Sequence, residues 1–261
     1  MYGIGAAESA ARLGAIGIED SDVYTIPYAG LCAIVHDCPA QPYRSTNEET
    51  VKGWVRAHQR VLDEAKARLG AVIPFGFDTI LQSRGKAAVP DQTVKELLQN
   101  DHDRLQTLLA KVRDHDEYGV QVFYEAGIMG QRAAEQSQAI RRLKEVMAGK
   151  SPGLAYIYVQ KLESLLKAEI EDLSHHWYQR FFGMIENHCD DIAVEKTRKA
   201  GGSRVMLLNI SCLVSPDKAG LLGSELENID NMEGFSVRFT GPWPPYSFVT
   251  RLAIPVGEAA R

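Results

Sequence analysis

Gly70-Ala71-Val72-Ile73-Pro74-Phe75-Gly76-Phe77-Asp78-Thr79-Ile80-Leu81 decides how the rest of the chain is arranged. Val72, Ile73, Phe75, Phe77, Ile80 and Leu81 are too densely apolar and β-prone for a solvated loop. Pro74 and Gly76 interrupt the run where a ladder or a helix would otherwise continue. The pattern predicts a buried, bent strand. Before it, Val51, Trp54, Val55, His58, Val61, Leu62, Ala65 and Leu69 recur at helical spacing behind the polar start Thr46-Asn47-Glu48-Glu49. After it, Pro90-Asp91 opens a second helix whose stripe is Val94, Leu97, Leu98, Leu105, Leu108, Leu109 and Val112. The expectation is a central strand in a sheet covered by helices on one face, with residues 71–77 joining the stripe of helix 48–69 in one core. Asp101 falls on the second stripe with nothing in the pattern to explain it.

Outward from that strand, Tyr2-Gly3-Ile4 reads as a first strand and Glu8 to Leu13 as one or two helical turns. Val23-Tyr24-Thr25-Ile26 and Leu31-Cys32-Ala33-Ile34-Val35 form a hairpin through Pro27-Tyr28-Ala29-Gly30, and Pro39 and Pro42 mark a loop. Val120 to Tyr124 is a further strand, so the first half approaches a split βαβ, ferredoxin-like order. From Gly130 to about Lys199 two helices are expected, broken at Gly149-Lys150-Ser151-Pro152-Gly153. The second carries Leu162, Leu166, Ile170, Leu173, Trp177, Phe181 and Met184, and is expected to pack along its whole length. Val205 to Val214 is apolar enough for a central strand. Ser215-Pro216-Asp217 caps a helix to about Asn228, and Phe235 to Thr240 is a last strand. The chain thus divides into two α+β domains, residues 1–125 and 126–261.

Composition excludes several classes. With 45% hydrophobic and 24% charged residues the chain is an ordinary globular protein, and a net charge of -5 argues against a nucleic-acid partner. No apolar run reaches the roughly 18 to 20 residues of a membrane-spanning helix, which predicts no membrane partner and a cytoplasmic location. Cys32, Cys38, Cys189 and Cys212 match no zinc spacing and read as reduced thiols.

No catalytic constellation is complete. Gly3-Ile4-Gly5-Ala6-Ala7-Glu8 opens like a dinucleotide fingerprint, but Glu8 stands where the third glycine belongs and almost no strand precedes it. His36-Asp37-Cys38 and His188-Cys189-Asp190-Asp191 each lack a second half at ligand spacing and read as solvated element ends. His175 and His176 point about 100° apart on one helix and share no metal readily. His58 lies on an apolar helix face as a hydrogen-bonded core or rim histidine, and Glu163, Lys167, Glu169, Glu171 and Asp172 read as a solvated face. The reading is of a protein with no catalysis, no metal and no cofactor.

Phe239-Thr240-Gly241-Pro242-Trp243-Pro244-Pro245-Tyr246-Ser247-Phe248-Val249 continues the last strand, and its aromatics are better suited to fold over a core than to stay in solvent. It is expected to be a lid on the C-terminal domain. Trp243 and Tyr246 would cover the stripe of helix 154–187 or the adjoining sheet, and a partner helix would dock beside them.

Thr240-Gly241-Pro242-Trp243-Pro244-Pro245-Tyr246-Ser247-Phe248 resembles the C-terminal signature of the gas vesicle protein F/L family (GvpF/GvpL). Tyr2-Gly3-Ile4, Gly30 to Val35, His58-Gln59-Arg60-Val61, Val72-Ile73-Pro74 and Asn209 to Val214 agree with it in order along the chain. Phe77-Asp78-Thr79 departs from the Phe-Gly-Thr usual there, and His36 replaces a serine. The resemblance implies two ferredoxin-like α+β domains and an accessory or minor structural protein of gas vesicles, located with the vesicle in the cytoplasm. It implies binding to the small hydrophobic shell protein GvpA and to other gas vesicle accessory proteins. Trp243, Tyr246, Phe248, Trp177 and Phe181 are the residues expected to bind the partner. The competing reading is a small-molecule-binding or enzymatic domain pair using the interdomain cleft.

Overall fold

The computed structural model describes residues 1–82, 90–148 and 152–249. In chain order the elements are β1 (Gly3–Ala6), β2 (Arg12–Gly14), β3 (Val23–Tyr28), β4 (Leu31–Val35), α1 (Glu48–Leu69), β5 (Val72–Pro74), α2 (Pro90–Asn100) and α3 (His102–Val112). There follow β6 (Asp116–Glu125), α4 (Ala126–Gln136), α5 (Gln138–Ala148), α6 (Pro152–Glu186), β7 (Asp191–Val194), β8 (Arg204–Val214), α7 (Pro216–Asp230), β9 (Phe235–Trp243) and α8 (Tyr246–Val249). They form two units, one of residues 1–117 with the described residues from Pro242 onward, the other of residues 118–241. The separation therefore falls inside β6 and not after residue 125, and the tail belongs with the first unit.

The first unit's sheet has the order β2-β3-β4-β1-β5. β1 runs antiparallel to both β4 and β5, and β3 antiparallel to β4. The run β3-β4-β1-β5 is the strand order of a split βαβ sheet, with β4, α1 and β5 forming the crossover around β1. Where one or two helical turns were expected, over Glu8 to Leu13, the chain makes β2 instead, which pairs with β3 and buries Leu13. The β3-β4 turn places Ala29 at φ 46° and Gly30 at φ 83°. Positive φ at both central residues matches the twist of the flanking strands.

β5 lies at the sheet edge, not its centre, and is only three residues long. Helices cover both faces. Successive strand residues point to opposite sides, so Ala71, Ile73 and Phe75 join Val94, Leu98, Leu105 and Leu109 of α2 and α3, while Val72 meets Val61, Leu62 and Ala65 of α1. The single core expected for residues 71–77 is therefore two cores. An edge position also explains why Pro74, which cannot donate to a ladder, is tolerated.

Asn47 caps α1, its side chain accepting the Glu49 N–H at 2.9 Å. Asp101, unexplained by the stripe, sits at the joint between α2 and α3 with φ -110° and ψ 17°. One expected helix is thus two.

Gly3 of β1 is a packing glycine, not a cofactor loop. A Cβ built there would lie 2.5 Å from the Ile73 carbonyl oxygen of the paired strand β5. Gly3→Ala should therefore push β1 and β5 apart and lower unfolding stability by about 1 to 3 kcal/mol, as overpacking does, in a urea titration.

The second unit's sheet, β7-β8-β6-β9, repeats the split βαβ order in full, with α4 to α6 as the first crossover and α7 as the second. β8 is central, as its apolar run predicts. Three helices replace the expected two, because the chain breaks at Ser137. Its hydroxyl accepts the Ile140 N–H at 3.2 Å and donates to Glu169 Oε1 at 2.6 Å. Glu169 is thereby taken out of the solvated face to which its charge assigned it. The later break expected at 149–153 falls largely outside the described residues, and α6 begins at Pro152.

α6 packs on the sheet only toward its C-terminal end, where Phe181 and Ile185 are fully enclosed with Val120, Leu208, Ile210 and Phe235. Near its start Tyr156, Ile157 and Val159 are 67%, 62% and 40% exposed, so the helix does not pack along its whole length. Ser215 is the N-cap residue of α7 but makes no side-chain cap. Asp190 supplies it, accepting the Ser215 N–H at 2.9 Å and the Lys218 ammonium at 2.6 Å. Asp190 is thus the solvated element end expected, and a tether as well.

Candidate partner-binding surface

The five residues expected to bind a partner are dispersed by the fold. Phe181 has no exposed surface, its ring 4.8 Å from Phe235 and 5.2 Å from Trp177, which is itself half-buried. Both belong to the second unit's core. Tyr246 and Phe248 lie on α8 in the first unit, where Tyr246 packs with the α1 core and Phe248 is 7% exposed beneath the Lys111 ammonium, 5.6 Å from its ring centroid. Ser247 ties this turn down by donating its N–H and hydroxyl to the buried Glu117 carboxylate at 2.8 and 2.6 Å. A lid exists, but on the first unit and not over α6. Only Trp243, at 45% exposure, presents a large apolar surface.

β9 is the edge strand of its sheet, so among the described residues no strand pairs with its outer side, where Asp230 accepts the Val237 N–H at 2.7 Å. On it Phe239 is 41% exposed and stacks on Tyr118 of β6, the ring centroids 5.1 Å apart and the planes 15° from parallel. Strand alternation puts Phe239 on the face of Phe235 and Val237, but at the end where the helices no longer cover it. Phe239 and Tyr118 were missed because an aromatic on a strand face reads as core until the length of its cover is known.

His36 and His58 are buried at 8% and 4% exposure, so His36 is not the solvated strand end expected. Tyr2 stands between them, its ring centroid 5.2 Å from each. The Tyr2 hydroxyl accepts the Ile18 N–H at 3.0 Å and so donates to His36 Nδ1 at 2.6 Å, which leaves Nε2–H to donate to Tyr43 at 3.1 Å. His58 Nε2–H donates to the Phe75 carbonyl at 3.1 Å. Burial, the main cause, lowers both histidines to about 4 from an ordinary 6.5. The arrangement pins strand ends and α1 together; it positions neither a nucleophile nor an open ligand site.

Its pH dependence follows from the sign of those shifts. The folded-state values lie below those of the unfolded chain, so on acidification the unfolded chain takes up the protons first. Stability is full above pH 6.5 and is lost as pH falls toward 4. Each histidine is expected to withdraw on the order of 3 kcal/mol at the acid end, from about 1.4 kcal/mol per pKa unit. Urea titrations between pH 7 and 4.5 check this. A His36→Gln, His58→Gln double variant should lose most of the slope that the histidines contribute, and an unchanged slope would contradict the neutral network.

Among the described residues no group of three or more His, Cys, Asp or Glu side chains is placed to hold a metal ion, and no helix is long and apolar enough to cross a membrane. The family model described as gas vesicle synthesis protein GvpL/GvpF matches residues 1–250. The chain belongs to the GvpL/GvpF family. Gas vesicle protein L1 of Halobacterium salinarum is 25% identical over 244 residues, covering 91% of this chain and 84% of that protein. Gas vesicle protein F of Nostoc sp. is 20% identical over 236 residues, covering 89% of each. The crystal structure of GvpF from Anabaena sp. superposes with a TM-score of 0.74 at 19% identity, over 95% of this chain and 96% of that one. GvpF from Microcystis aeruginosa gives 0.67 at 15% identity, over 95% and 97%. The two-unit α+β fold is thus that of the solved GvpF proteins, and the GvpL/GvpF signature through Phe248 is the segment that closes the first unit here.

Proposed function

We propose that this gas vesicle protein is an accessory or minor structural component that binds the main shell protein GvpA and supports vesicle assembly, acting without catalysis in association with the vesicle. Family membership over almost the whole chain supports the gas vesicle setting. The observation that carries the binding reading is the open edge strand β9 with Phe239 and Trp243 exposed, an apolar and incompletely paired element of the kind that takes up a partner strand or helix. Other gas vesicle accessory proteins are the further partners this reading assigns.

Co-expression of the tagged chain with GvpA tests it. The wild type should retain GvpA on purification, and Phe239→Lys with Trp243→Lys should lose it while the chain stays folded with a modestly lowered melting temperature, since both side chains are more than two-fifths exposed and Phe239 gives up its stack on Tyr118. Retention of GvpA by the double variant would remove β9 from the interface. Absence of GvpA from the wild-type preparation, with a small molecule retained instead in native mass spectrometry, would favour the ligand-binding alternative.

A further inference from the structure

We infer that the face formed by Val146 of α5 with Tyr156, Ile157 and Val159 of α6 is a second docking surface, and that its occupant is an acidic amphipathic helix of a partner protein. The hydrogen bond between Ser137 and Glu169 fixes the register of the two helices, which meet end to end in chain order and so run antiparallel. Nine residues along α5 from Ser137 lead to Val146, and nine back along α6 from Glu169 lead to Gln160, so Val146 and Val159 stand level.

The apolar seam between the helices continues past the point where it is buried by the described residues. On α5 the stripe Ile140, Leu143, Val146 goes from 1% and 8% exposed to 46%. On α6 the stripe Ile170, Leu166, Leu162 is half-buried, and its continuation through Val159 to Tyr156 reaches 40% and 67%, with Ile157 beside it at 62%. These side chains keep the three-and-four spacing that builds a helix-packing face, which is the shape a third helix would complete. A loop or a flat surface has no reason to match it.

Charge selects the occupant. α5 carries Arg141, Arg142 and Lys144 against the single carboxylate Glu145, and all four are exposed. None of the three cations has an ion-pair partner among the described residues. A basic helix stands out on a chain whose net charge is -5. A second copy would bring an equally basic surface and be repelled, whereas a helix with Glu or Asp flanking its apolar stripe would fill the seam and pair with Arg142 and Lys144, which flank the stripe Ile140, Leu143, Val146 on either side. This surface is separate from β9, and either reading can fail without the other.

The test uses the full chain in cells that make gas vesicles, with a photoreactive benzophenone amino acid at Tyr156. Position 156 is solvated, so the fold is retained. The expected product is a cross-link to one protein, mapped by mass spectrometry to a segment with apolar residues at helical spacing and net negative charge. Its yield should fall about tenfold in the Arg142→Glu, Lys144→Glu variant, for which the partner's charge becomes repulsive. A cross-link to the chain's own sequence, to lipid, or to a basic or non-helical segment would overturn the inference, as would no cross-link or a yield indifferent to the charge reversal.

Discussion

A chain cut after Trp243 is expected to lose the cooperative unfolding of its first unit while the second keeps its own transition. The cut removes Val249 and Tyr246, which are seated one in each of that unit's two cores, and Phe248, which is 7% exposed beneath Lys111. Losing a buried phenylalanine alone costs about 3 to 5 kcal/mol. The cut also strips both Ser247 donors from Glu117, a carboxylate 7% exposed, and leaving a buried charged acceptor short of its partners adds upwards of about 1 to 3 kcal/mol. Domains are stable by only about 5 to 15 kcal/mol, so the sum consumes most of that margin. Calorimetry of the truncated chain should show one transition missing and apolar-dye binding gained. Phe248→Ala should reproduce the destabilisation with the rest of the tail in place. Melting unchanged by either would mean that α8 is not part of the first unit's core.

Phe181→Ala is expected to act on the other unit, lowering its stability by about 3 to 5 kcal/mol while leaving the first unit's transition in place. The ring has no exposed surface and touches Trp177 and Phe235, so its removal leaves a cavity walled by aromatics that cannot collapse without moving α6 off the sheet. Ile73→Ala, equally enclosed but in the first unit, is the matched control and should cost about 2 to 5 kcal/mol there. Chemical denaturation followed by the unit-specific signals separates the two. A Phe181→Ala protein that captures no partner but melts normally would restore Phe181 as an interface residue.

Element types were legible wherever a period ran long enough to have only one explanation. The α1 stripe except for Val55, which is 47% exposed, the hairpin around Ala29 and Gly30 and the apolar run of β8 stand as read, because each is decided by local geometry. The errors share a cause: they concern which surface a residue meets, and that is set by residues far along the chain. Ile73 and Val72 read equally well as part of one core, and only helices on both faces separate them. The breaks at Asp101 and Ser137 were hidden because stripes on either side continued through them.

The tail shows the same limit at the level of function. Its prolines and aromatics announced a segment that covers something, yet nothing local said which unit it would cover. Phe181 and Trp177 were assigned to a partner because their stripe was visible and the sheet that buries them was not. Conversely, α6 was expected to pack along its whole length, yet Tyr156 near its start is 67% exposed, since a stripe carries no mark where its cover ends. The surfaces left open were therefore the part of the site least readable from sequence.

The central claim, that this chain acts in gas vesicle assembly through an exposed partner-binding surface, is tested most directly by counting vesicles. In cells lacking the native gene, the wild-type chain should restore gas vesicles seen by electron microscopy. The folded Phe239→Lys, Trp243→Lys chain, at matched cellular level, should restore few or none. Full restoration by that variant would contradict the account.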